Sequence, residues 1–187
     1  MINRPLLLLL LLGLLSFASP ATAQTRDHLT PQEVDLVKEA QVLDKRIEVF
    51  IKAADRRILV LNGGAPTAAT SKQAKKDAER WGELPTGSRA ELISDIAQIL
   101  DEAITNIDDV SARDERNPLI AKSLRRLAQA VNTIMEQLKP LEANAKGDAE
   151  IASFEQLNED AQSILEAANK LPPEVEKDKK TKAKGNH

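Results

Sequence analysis

The 187-residue sequence has no cysteine and no tyrosine, and only one tryptophan, two histidines and two methionines. Without cysteine the chain can form no disulfide, no thiolate metal site, no thiol nucleophile and no Cys-x-x-Cys-His haem attachment. The aromatic residues are limited to Phe17, Phe50, Phe154 and Trp81, which leaves almost nothing on which bases or sugar rings could stack. A formal net charge of -3 argues against the continuous basic surface of a nucleic-acid groove. Gly63-Gly64 is followed by no Gly-Lys-Ser and reads as a helix stop, not a phosphate loop.

Metal and catalytic patterns are equally sparse. The histidines, His28 and His187, stand near the ends of the chain and belong to no Glu-x-x-His pattern of the kind di-iron bundles need. Met135 is the one candidate axial ligand for non-covalent haem; it sits beside an apolar stripe and fits a packing role better. An unrecognised haem or metal site remains an alternative reading. The acidic group Asp108, Asp109, Asp114 and Glu115 lacks the glycine a calcium loop requires and suits a solvated turn. No serine, threonine or lysine is placed by motif next to an activating base. The expectation is a protein that is not an enzyme and has no cofactor.

What the chain does have begins with a leader. Arg4 precedes the run Leu6 to Leu15, apolar apart from one glycine, and Ala21-Thr22-Ala23 ends the stretch with small residues where a signal peptidase reads. The run is too short for a permanent membrane anchor, and no cysteine stands at the cleavage point to carry a lipid. Residues 1–23 are therefore expected to be a cleaved signal peptide, and the mature chain to be exported to the periplasm or the extracellular space. Residues 172–187, opened by Pro172-Pro173 and carrying five lysines among three acids, are expected to be a disordered, solubilising tail.

Between them, residues 24–171 form one domain large enough for a real core. Its organising stretch is Ile120, Leu124, Leu127, Val131, Ile134, Leu138 and Leu141, spaced alternately by four and three, which keeps all seven on one side of a helix. Three more segments carry stripes that can pack on it. Leu29-Thr30-Pro31-Gln32-Glu33-Val34 combines a capping box, a first-position proline and a hydrophobic staple, opening a helix that runs uninterrupted by proline or glycine to Leu61. Ser88 and Glu91 repeat the capping box, and Asn117-Pro118 opens the organising helix. Pro140 predicts a kink in that helix, which should end at Gly147, with Asp148 capping the last one. The expected fold is all-α: an up-down four-helix bundle with long antiparallel helices near 31–61, 89–111, 118–146 and 149–171, plus a short connector helix from Lys72 to Trp81. The helices at 89–111 and 118–146, joined by a short link, should touch along their length.

Two features bear on function. Val34, Val37, Val42, Val49, Ile51, Leu59 and Val60 lie off the main stripe of the first helix, more apolar surface than one bundle face requires. That helix also exceeds its companion in length, so part of it should project. The candidate protein-contact surface is accordingly Val49, Leu59 and Val60, with Trp81 nearby; a lone indole is expected mainly to pin the connector over the core. Leu29-Thr30-Pro31-Gln32-Glu33 also resembles, in part, the Leu-Thr-x-x-Gln signature of small all-helical periplasmic stress chaperones and metal-stress sensors. The fifth position here is glutamate, there is no second copy, and capping chemistry accounts for all five residues. The resulting expectation is a non-catalytic binding or scaffold module of the cell envelope, pairing with another envelope protein or with itself. A chaperone-like or stress-sensor role is the alternative that the resemblance implies.

Overall fold

A computed structural model of the chain describes residues 26–64 and 72–173. The expected signal peptide and the lysine-rich tail from 174 onward lie outside the described residues. Six helices follow in order: α1 (Pro31–Glu39), α2 (Leu43–Leu61), α3 (Lys72–Trp81), α4 (Arg89–Arg113), α5 (Pro118–Glu142) and α6 (Asp148–Asn169). The described residues contain no strand. The fold is all-α, as the stripes require, but it is a six-helix fold and not the expected four-helix bundle.

The principal difference is that the helix expected at 31–61 is a helical hairpin. Its start forms as the capping box dictates: Thr30 Oγ1 accepts from the Glu33 amide at 3.3 Å, and the Glu33 carboxylate accepts from the Thr30 amide at 2.9 Å. Ala40 then leaves helical geometry (φ -76°, ψ 80°), and Val42 is extended before α2 begins. Arg46 stabilises the break, donating from Nε to the Ala40 carbonyl and from Nη1 to Asn106 on α4, both at 2.9 Å. The contacts Glu33–Arg57 and Ala40–Arg46 show α1 folded back antiparallel along α2. The reversal buries Leu29 and Leu36, each worth about 1.5–3 kcal/mol when fully removed from water. Nothing of the first segment therefore projects beyond the body in the way a continuous helix would.

Four helices enclose the core in the spatial order α2, α4, α6, α5, and named pairs fix their directions. Arg46–Asn106 and Arg57–Asp95 make α2 and α4 antiparallel. Asp44–Lys122 and Glu48–Arg126 advance together along both chains, so α2 and α5 are parallel. Arg89 pairs with Glu150 at the starts of α4 and α6, and Arg125 meets the Pro172 carbonyl beyond the end of α6. Thus α4 and α6 run parallel, while α5 and α6 run antiparallel. α4 and α5 are antiparallel, as their short link demands, but they do not pack along their full length as expected. They meet across the core, and each packs mainly on α2 and α6.

The organising stripe is the core. Leu124, Leu127, Val131, Ile134 and Leu138 are buried, with Ile120 and Leu141 half-buried at its ends. They meet Ile47, Phe50, Ile93, Ile96, Leu100, Ile107, Phe154, Leu157 and Ile164 in one cluster. α5 continues through Pro140 and ends at Glu142, short of the expected stop at Gly147. Gly147, at φ 80°, occupies the cap of α6 without a side-chain bond, so Asp148 is the first helical residue and not the cap. Glu150 performs the capping service here, accepting from the Lys146 amide at 2.9 Å. α3 covers the expected span and packs on α1.

Candidate functional site

Among the described residues, the two larger gatherings of charged side chains lie outside the apolar core. The first lies under the segment preceding α1. Arg57, only 1% exposed, donates from Nη1 to Glu33 at 2.7 Å and to the Ala53 carbonyl at 2.9 Å, and from Nη2 to the His28 carbonyl at 2.6 Å. Arg56 Nε stands 3.0 Å from the same Glu33 oxygen. Arg57 Nε is 3.6 Å from Asp95, and Arg26 closes on that carboxylate at 2.8 Å. His28 meets Glu102 at 2.8 Å. Burial pushes the Asp95 carboxyl above its ordinary range, against the opposing pull of Arg26, Arg57 and His28. This network ties the segment entering α1, and α1 itself, to α2 and α4. Its carboxylates and guanidiniums face one another, so its chemistry is that of a clasp.

The second place is a groove between the parallel helices α2 and α5, about 610 Å³ in volume. Two rungs, Asp44–Lys122 at 2.5 Å and Glu48–Arg126, join the helices at their leading ends. One turn further on, Lys52 comes level with Ala130, whose methyl group cannot reach across, and the helices leave a hollow. Ile51, Leu59 and Ala130 give it apolar walls; Lys52, Asp55, Arg56, Gln129 and Thr133 give it polar ones. The Lys52 ammonium lies 4.7 Å and the Arg56 guanidinium 5.5 Å from the centre of the Trp81 ring, so the indole braces the α2 side of the groove through cation–π contact. Arg56 also holds the Gly82 and Glu83 carbonyls.

The sequence-derived surface is divided by this geometry. Leu59, 37% exposed, lines the groove, and Trp81, 7% exposed, supports its wall and pins the end of α3, as a lone anchor should. Val49 is half-buried and packs against the core, and Val60 is half-buried; neither lines the groove. Val34 and Val37 owe their apolar character to α1, where both pack against the core. The α5 side, Arg126, Gln129, Ala130 and Thr133, was not signalled by the sequence pattern, because small and polar residues opposite a stripe look like ordinary solvent face. A search for a charge ladder between stripes, with its missing rung at Ala130, would have pointed there. Glu48 does not pair with Lys52 along its own helix as the four-residue spacing suggests; it pairs with Lys45 and Arg126.

One carboxylate elsewhere has unmet polar need. Asp160 on α6 is half-buried, with Oδ2 enclosed and without a hydrogen-bond partner among the described residues. Burial raises its pKa, and Asp101 on α4 and the neighbouring Glu159 raise it further. A folded-state pKa above the unfolded one means that the native state binds the proton more tightly. The resulting penalty is absent below the unfolded value, grows as pH rises through the window between the two, and is complete above it. Asp160→Asn is therefore expected to raise the urea midpoint at neutral pH, with the gain disappearing in acid below the ordinary aspartate range. Chemical denaturation at several pH values checks this.

Among the described residues, no group of three or more histidines, cysteines or carboxylates is placed to hold a metal ion. No helix there is long and apolar enough to cross a membrane. Comparison of the chain with protein-family models, curated proteins and solved structures finds no match to any of them.

Proposed function

We propose that the chain is a non-catalytic binding or scaffold module, exported by its leader to the cell envelope, which acts by protein–protein contact at the α2–α5 groove. The groove itself carries this reading. It is an open channel between two helices, with apolar walls and charged rims, of the size and composition that takes a side-chain strip or a helix of another protein. The clasp at Arg57 fits a supporting role, since it holds α1 behind α2 and leaves the groove side free. The leader Leu6 to Leu15 with Ala21-Thr22-Ala23 supports export, and the absence of cysteine suits a fold that relies on packing alone.

A photo-crosslinking residue in place of Leu59, in the protein expressed from the full chain in living cells, tests the reading. A discrete covalent adduct is expected, absent when the same group replaces exposed Ile151 on α6. Equal labelling from both positions, or none from Leu59, would remove the groove as a contact surface.

A further inference from the structure

The groove is lined by five charged side chains, and three of them are already satisfied within the chain. Glu48 pairs with Lys45 and Arg126, and Arg56 with Glu33. Lys52 and Asp55 remain: both line the groove and both are exposed. Neither has a salt-bridge partner among the described residues. Asp55 is open to solvent overall, yet the groove walls partly desolvate it and raise its carboxyl above the ordinary range, with no opposing cation. Lys52, which rests against the Trp81 ring but has no carboxylate partner, and Asp55, which has no cation, stand about one helical turn apart on the same strip and do not suit a purely acidic or a purely basic ligand. An acidic peptide would meet Asp55, and a basic one would meet Lys52. A surface with the same two charges in reverse order fits both, and the chain itself supplies one.

We infer that the α2–α5 groove is the face through which two copies of this chain pair, with α2 antiparallel to α2 so that Lys52 of each copy meets Asp55 of the other. This rests on the reading of the groove as a protein-contact surface and names its occupant. The twofold axis crosses α2 between residues 53 and 54. In such a self-complementary interface, if residue i touches residue j then j touches i, and both ion pairs form at once. Ile51 and Leu59 flank the charged residues on the same strip and supply the apolar contact that exposed ion pairs alone do not provide. The hollow beside Ala130 leaves room for the partner's side chains at the level of Lys52.

The symmetry makes the test specific. Protein purified from expression of the full chain should dimerise by sedimentation and light scattering. Lys52→Glu places two carboxylates against each other at both contacts, and Asp55→Lys places two ammonium groups; each variant alone should dimerise at least about tenfold more weakly, because like charges directly opposed are strongly unfavourable. Mixed in equal amounts, the two variants should associate with each other. The carboxylate introduced at position 52 of one copy then meets the ammonium introduced at position 55 of the other, while the unaltered Asp55 and Lys52 meet at the second contact. Unchanged circular dichroism of each variant shows that the fold is intact. A wild-type protein that stays monomeric through the micromolar range, single variants that dimerise as well as wild type, or a mixture that fails to associate would each overturn the inference. A Leu59 crosslink to a different protein, with the chain itself monomeric, would leave the contact-surface reading standing and remove the second copy as its occupant.

Discussion

Replacing Arg57 by methionine is expected to lower the unfolding free energy by about 3–5 kcal/mol, the usual cost of removing one partner from a buried ion pair. The side chain is almost wholly enclosed, and four acceptors converge on it: Glu33, the carbonyls of Ala53 and His28, and Asp95 at a longer distance. Methionine fills much of the same volume, so the loss comes mainly from Glu33, stripped of its shortest ion pair, and from the His28 carbonyl; the Ala53 carbonyl keeps its helical bond to the residue-57 amide. Glu33 is fully buried and retains only Arg56 and the Thr30 amide. Arg89→Met is the control. Its pair with Glu150 is half-exposed on the arginine side, and such pairs contribute about 1 kcal/mol or less. Urea titration of both variants separates the two cases. Equal, small losses would mean that α1 is held by its leucines and not by the clasp.

Val131→Asp should have the second large effect. Val131 has no exposed surface and lies in the middle of the organising stripe. A carboxylate there would have to remain ionised without a partner or take up a proton, and either route costs several kcal/mol. An ordinary domain has only about 5–15 kcal/mol to lose. The expected outcome is loss of the cooperative thermal transition in circular dichroism at neutral pH. Thr133→Asp, two residues on but exposed, should leave it nearly unchanged.

These positions also show what the sequence makes readable. The alternation of four and three through Leu124, Leu127, Val131, Ile134 and Leu138 is a direct record of which side of α5 faces inward. The capping boxes at Thr30 and Ser88 mark two helix starts because each is a local bond network within four residues. The break at Ala40–Val42 carries no such mark. It contains neither proline nor glycine, and what accompanies it is remote: with α1 turned back, Glu33 reaches Arg56 and Arg57, and Leu36 reaches the core. Long-range ion pairing of this kind leaves no periodic trace. For the same reason the groove was half legible: Leu59 stood out as surplus apolar surface, whereas Ala130 matters through the side chain it lacks.

The parallel alignment of α2 with α5 has a consequence for how the chain reaches its fold. Asp44 and Lys122, like Glu48 and Arg126, are separated by 78 residues. The neighbours in sequence, α4 and α5, form a hairpin that cannot seal a core between themselves, since each turns most of its apolar surface toward α2 and α6. Closure has to wait for helices from opposite ends of the domain, and the loop entropy of bringing them together must be met before most of the burial is gained. Folding should accordingly be slower than for helices that pack in the order they are made, and highly cooperative. During synthesis α2 is already made when the α4–α5 hairpin emerges, so the part of its apolar face left uncovered is the part that α6 later takes.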